Sequence, residues 1–189
     1  MRIRPLAAGL GWAGLITATE WLARRLLASR AQAWFLAYGL LGAAALAAGA
    51  PSPLHKRPGS SRSGFSPTGL AIAAIGYPLG RRLLRDTPLA PPPDPFLIEL
   101  AAIVLVATVE EVTWGGIVEP RLGRPATAAL FAAKHVAIDQ RCRRSLGLFT
   151  FWMGLGMQRQ RWPAAALTAH AMLNAGGVVQ GHLTQRDAF

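Results

Sequence analysis

Cysteine is almost absent from the chain: one residue, Cys142, in 189. A single thiol excludes an intrachain disulfide and any zinc site built from thiolates, and by itself leaves the redox compartment open. Acidic residues are nearly as scarce, 9 Asp and Glu against 20 Lys and Arg, and all charged residues make up only 15% of the sequence. An ordinary soluble domain carries about 25%. Beside a hydrophobic content of 52%, that deficit argues against a soluble globular enzyme. A net charge of +11 would suit a nucleic-acid binder, but the distribution of the charges argues otherwise. Basic residues come in short clusters (Arg24-Arg25, Lys56-Arg57, Arg81-Arg82, Arg141 to Arg144, Arg159 to Arg161) separated by apolar stretches of Leu, Ala and Gly. This is the pattern of membrane helices whose loops meet the headgroups, with the lipid bilayer rather than nucleic acid as the partner of the charge.

Seven windows approach the roughly 20 apolar residues that cross a hydrocarbon core: residues 5–23, 31–50, 65–80, 96–114, 125–139, 146–158 and 163–181. The expected fold is therefore all-α, a polytopic membrane helix bundle with about seven hydrophobic segments. The 125–139 window is fenced by Arg124 and Arg141 and holds Lys134 and His135, which suits a helix packed inside the bundle. Arg2 and Arg4 before an apolar run resemble a signal peptide, but Glu20, Arg24 and Arg25 after that run favour a retained first helix. Pro, Ser and Gly crowd residues 51–64, and five prolines stiffen residues 86–95. The second stretch divides N-terminal membrane helices with their Pro-rich linker (1–94) from a C-terminal helical core (95–189). Asp94-Pro95 reads as the start of the next helix, since Asp caps and Pro suits the first turn.

Ionisable side chains in such segments ask for a partner or a function. Glu99, Glu110 and Glu111 lie in the fourth window, Lys134 and His135 in the fifth, His170 and Asn174 in the seventh. Residues four apart share a helix face, so Phe131 aligns with His135, Glu110 with Trp114, and His170 with Asn174. Three such stripes converging inside an apolar bundle would make a general-base environment. A carboxylate beside an imidazole takes a proton from water, and a second imidazole with an amide donates to the oxyanion. That inventory fits peptide hydrolysis without a nucleophilic Ser or Cys.

At these residues the chain resembles the CPBP intramembrane proteases, the family of the type II CAAX prenyl endopeptidases and bacterial Abi proteins. The likeness covers roughly residues 95–181. It rests on Glu110-Glu111-Val112-Thr113-Trp114-Gly115, on Phe131-Ala132-Ala133-Lys134-His135, and on His170-Ala171-Met172-Leu173-Asn174 after Trp162-Pro163-Ala164. The resemblance implies an integral membrane protein of a bacterial or archaeal cell membrane. Its activity would be hydrolysis of a peptide bond near the C-terminus of a membrane-anchored or lipidated substrate. It further implies that Glu110 activates the water with help from His135, that His170 and Asn174 stabilise the oxyanion, and that Glu111 supports Glu110. Members have been called metalloproteases and a His, His, Glu set could bind zinc, but the metal-free glutamic mechanism, with no cofactor, is the one favoured.

Gly115 stands where the family has Arg, and Gln158 where it has Gly. Lys134 is then expected to supply the missing positive charge near Glu111. The alternative is a catalytically silent scaffold or a bacteriocin self-immunity protein of the same fold. A small transporter subunit is disfavoured by the lack of an inverted repeat. The bland readings are a helix end at the interface for Glu110 and Glu111, packed histidines for His135 and His170, and interhelical glue for Asn174. Glu20 and Glu99 are expected to pair with a nearby Arg, and His182 to lie exposed in the tail. Gly9-Leu10-Gly11-Trp12-Ala13-Gly14 fits a dinucleotide fingerprint, but no strand precedes it, so small-residue helix packing explains it better.

Overall fold

The computed structural model describes residues 3–51, 91–138 and 163–186, and these are helical nearly throughout. The order is α1 (Ile3–Leu26), α2 (Arg30–Ala47), α3 (Phe96–Glu110), a π-helical segment (Glu111–Val118), α4 (Glu119–Leu122), α5 (Arg124–Ile138) and α6 (Pro163–Thr184). These lie within a few residues of five of the seven apolar windows, except that the 96–114 window continues unbroken to Leu122. The windows 65–80 and 146–158, with His55, Cys142 and Gln158, lie outside the described residues.

Helical character agrees with the sequence; the membrane span does not. Among the described residues no helix is long and apolar enough to cross a membrane. This overturns the seven-span bundle, and with it the integral-membrane location. The reason is where the charges and the helix ends fall. Glu20 interrupts α1, whose last turn carries Arg24 and Arg25, and α2 opens on Arg30 and has 18 residues. α3 itself has only 15 residues, and the helical run that continues it to Leu122 carries Glu99, Glu110, Glu111, Glu119 and Arg121, too many charges for a membrane span. The equally short α5 holds Lys134.

α1, α2 and α3 each turn one stripe inward at three- and four-residue spacing. On α1 the stripe is Ala13, Ile16, Glu20 and Ala23; on α2 it is Arg30, Trp34, Tyr38, Leu41 and Ala45; on α3 it includes Glu99, Ala102, Ile103, Val106 and Glu110. A fully buried Ile or Leu here contributes about 1.5–3 kcal/mol. α2 lies between α1 and α3, α3 also packs on α6, and α1 on α4, α5 and the π segment. One apolar cluster therefore runs from Ala13 and Ile16 through Tyr38, Ile103 and Phe131 to Val178. It encloses the polar residues that the stripes carry.

Two glycines fix this arrangement. A Cβ on Gly9 would stand 2.8 Å from Leu122 Cγ and 3.0 Å from Arg121 Cβ, so the bare backbone is what lets α1 approach α4. Gly123, at φ +79° and ψ 164°, adopts an extended positive-φ conformation essentially open to glycine alone, which ends α4 and lets the chain turn into α5.

Asp94 does not cap α3, whose N-cap is Pro95 without a side-chain bond. It caps α2 instead. Asp94 Oδ2 accepts the Ala31 amide at 2.9 Å, and Oδ1 accepts the Ser29 hydroxyl at 2.5 Å. Ser29 in turn accepts the Gln32 amide at 3.1 Å. The otherwise unpaired amides and the positive end of the α2 dipole draw the carboxylate across the fold.

Candidate active site

The Glu110-Glu111 pair falls where the α-helix of α3 passes into the π-helical turn. Wider π turns are rare and recur at functional sites. Here the junction brings adjacent carboxylates to one partner on α6. His170 Nδ1 lies 2.8 Å from Glu111 Oε1, and its Nε2 lies 3.5 Å from Glu110 Oε2. Glu110 and His170 are buried, 2% and 3% exposed, while Glu111 is half-buried. Three of the sequence-predicted site residues are thus in one place.

His135 and Asn174 stand beside this group rather than in it. The Phe131 ring lies between the imidazoles, edge-on to His135 at 4.5 Å and to His170 at 6.3 Å. The i, i+4 pairing of Phe131 with His135 is thus met by a ring contact. Asn174 is half-buried one turn beyond His170. Among the described residues no hydrogen bond joins it to His170. Trp114 packs edge-on against Phe131 at 5.5 Å, and its buried indole nitrogen has no hydrogen-bond partner among the described residues.

The other side of Glu110 was not anticipated. Glu110 Oε1 forms an ion pair with Lys134 and lies 2.7 Å from the Tyr38 hydroxyl oxygen, within hydrogen-bond distance. Lys134 Nζ also lies 2.8 Å from Glu20 Oε2 and donates to Tyr38 Oη at 2.7 Å. Glu20 is held further by Tyr38, at 2.5 Å, and by the Trp34 indole, at 3.2 Å. The expectation that Lys134 compensates near Glu111 is therefore corrected: the lysine neutralises Glu110 and Glu20, and Glu111 takes His170 as its partner. Lys134 precedes His135 by one residue and so leaves α5 in another direction, towards α1 and α2. Among the described residues Glu20 pairs with this lysine rather than with an arginine.

Charge and burial set the protonation states. Burial opposes ionisation of Glu20, but the Lys134 charge and the hydrogen bonds from Lys134 and Tyr38 prevail and lower its pKa to about 2. Burial likewise opposes the Lys134 ammonium, yet Glu110 and Glu20 outweigh it and raise the lysine above its ordinary value. Tyr38 is pushed well above 10 by burial and by the two carboxylates. His170 is raised: burial is overcome by the hydrogen bond and charge of Glu111 and by the charge of Glu110. His135 goes the opposite way, down to about 3, through burial and the nearby Lys134. The two imidazoles thus differ, His170 favouring the cation and His135 the neutral ring.

A second buried polar group lies at another end of α3. Glu99, 1% exposed, forms an ion pair with Arg30 and meets His182 Nε2 at 2.8 Å. The Glu99–Arg pairing follows the sequence expectation. His182 departs from it: the ring is half-buried and edge-on to Phe96 at 5.3 Å, because α6 continues to Thr184 and carries it onto α3.

Among the described residues no group of three or more His, Cys, Asp or Glu side chains could hold a metal ion. The ring nitrogens of His170 face different carboxylates, and Glu110 Oε1 is committed to a cation, so these donors do not converge on one point. They do not fit zinc. No protein-family model matches the chain, and no curated protein or solved structure matches it either.

Proposed function

We propose that the chain is an endopeptidase that hydrolyses a peptide bond with a water activated by glutamate and histidine. The observation that carries this reading is the meeting of Glu110, Glu111 and His170, three residues of the motif-like segments, in one enclosed charged cluster. Glu110 Oε2 accepts a proton from water as the water oxygen bonds to the substrate carbonyl carbon. The developing oxyanion is met by the His170 imidazolium, which Glu111 keeps charged, and by the Asn174 amide one turn away. When the C–N bond breaks, the proton on Glu110 passes to the leaving amine, so acid and base roles balance over the cycle. His135, held neutral, donates or accepts a hydrogen bond to orient the water. The substrate class supported by the motif resemblance is a lipidated or membrane-anchored protein, cut near its C-terminus.

The test is incubation of the purified protein with prenylated and unprenylated C-terminal peptides and with lipid-anchored proteins, the products being read by mass spectrometry. Wild type is expected to cleave, and Glu110→Gln, His135→Ala and His170→Ala are each expected to lose 10²-fold or more, in keeping with the worth of a general base or an oxyanion donor. Cleavage that survives all three substitutions overturns the reading. Metal analysis of the active sample decides the zinc question.

One observation favours a second reading, a catalytically silent binding protein: the ion pair with Lys134 occupies one oxygen of Glu110. Wild type that captures such a substrate without cutting it, and does so equally well as Glu110→Gln, would establish that reading.

A further inference from the structure

Lys134 faces Tyr38, Glu20 and Glu110, and the three protons of an ammonium are enough for all of them. Tyr38 is in a different position. Its oxygen is within hydrogen-bond distance of Glu20 Oε2 and of Glu110 Oε1, yet a phenol has a single proton to give. Only one carboxylate receives it. The separations, 2.5 Å to Glu20 and 2.7 Å to Glu110, favour Glu20, since shorter charge-assisted bonds are the stronger. We propose that Glu20 is a positioning residue of the site: it holds the Tyr38 proton turned away from Glu110, so that Glu110 keeps its capacity to accept a proton from water.

This rests on the hydrolytic reading and deepens it. A hydroxyl donating to Glu110 would stabilise its carboxylate form and weaken it as a base. With the proton directed to Glu20, Lys134 is the only donor fixed on Oε1 among the described residues, and Oε2 remains turned to His170. The Trp34 indole, donating to Glu20 Oε1 at 3.2 Å, keeps the carboxylate in register for Tyr38. Glu20 and Tyr38 do not touch the reacting atoms in this scheme and act through Glu110. They also explain why α1 and α2, which carry none of the motif residues, each send a polar side chain into the cluster.

The position of the proton is read first, without any substrate. The buried Tyr38 hydroxyl should give a downfield proton resonance, assigned by its loss in Tyr38→Phe. It is expected to persist in Glu110→Gln and to move or vanish in Glu20→Gln. Loss in Glu110→Gln places the proton on the Glu110 side and overturns the proposal, whether or not Glu20→Gln folds. Kinetics supply the second arm. Glu20→Gln is expected to lower kcat about tenfold with KM unchanged, the worth of one redirected hydrogen bond to a charged group. Adding Tyr38→Phe to it should recover part of that loss, because the hydroxyl that swung to Glu110 is gone. A further fall in the double variant overturns the proposal. Absence of turnover in wild type sinks the hydrolytic reading instead, while the resonance still locates the proton.

Discussion

Tyr38 Oη and Glu110 Oε1, 72 positions apart, stand 2.7 Å from each other and share the Lys134 ammonium, which links the middle of α2 to the end of α3. The contact matters because the same hydroxyl reaches Glu20 on α1 and the same carboxylate meets Lys134 on α5. Four helices are thus held by one buried network, and a fifth, α6, joins it through His170. In such a network the loss of one member leaves the others desolvated and unpaired.

Lys134→Met is expected to show this most sharply. It leaves Glu20 and Glu110 buried without their shared cation, and removing one partner of a buried ion pair typically destabilises by about 3–5 kcal/mol. Urea unfolding followed by circular dichroism measures the loss. Because two carboxylates are stranded, Glu110→Gln added to Lys134→Met should regain part of the stability. A Lys134→Met protein as stable as wild type would show that the network adds nothing to the fold.

The three glycines of α1 separate by what surrounds them. Gly9→Val puts methyl groups against Leu122 and Arg121 and is expected to cost about 1–3 kcal/mol as overpacking. Gly11 and Gly14 face open space, so Gly11→Ala and Gly14→Ala should each stabilise by up to about 1 kcal/mol, through the better helix propensity of Ala. Thermal melts of the three variants check both signs together.

This contrast also marks what the sequence made legible. The length of the apolar runs placed the five helical stretches seen among the described residues, and the acid pair with its downstream histidine could be singled out because Glu110, Glu111 and His170 are rare ionisable residues in such runs. Glu20, Tyr38 and the true partners of Lys134 could not. Each is an isolated residue on a different helix, and their meeting depends on how α1 and α2 cross α3 and α5, which no spacing along the chain encodes. The available signal was burial chemistry: Glu20 lies on the apolar stripe Ala13, Ile16, Glu20, Ala23, where an acid needs a cation, and Lys134 shares a stripe with Ala128 and Phe131. The membrane expectation failed because composition averages over the chain, whereas crossing a bilayer requires length and apolarity in the same helix.

Asp94→Ala tests the long-range cap. The carboxylate accepts both the Ala31 amide and the Ser29 hydroxyl, and loss of an N-cap acceptor costs about 1 kcal/mol, up to about 2. Asp94→Asn should retain most of that stability, since its amide oxygen still accepts. Hydrogen exchange should localise the effect, with the amides of Ala31 and its neighbours at the start of α2 losing protection in Asp94→Ala while those at the centre of α3 keep it.

The two histidines give stability opposite dependences on pH. His170 has its folded pKa raised above the ordinary value of 6.5. Its stabilising contribution is therefore complete below about pH 6.5 and is lost as pH rises through the raised value. His135 is lowered from 6.5 to about 3, so the unfolded chain binds its proton first. Its contribution is complete above about pH 6.5 and falls as the solution is acidified towards pH 3, by at most about 1.4 kcal/mol per pH unit. Between pH 6.5 and 4 the wild-type protein should accordingly lose stability that His135→Gln does not lose, while above neutrality the decline should be weaker in His170→Gln than in wild type. Urea midpoints measured from pH 4 to 9 for the three proteins read both slopes. Parallel curves for wild type and His135→Gln on the acid side would mean that the imidazole is protonated as readily in the fold as in water, and the neutral ring assigned to the water-orienting role would be wrong.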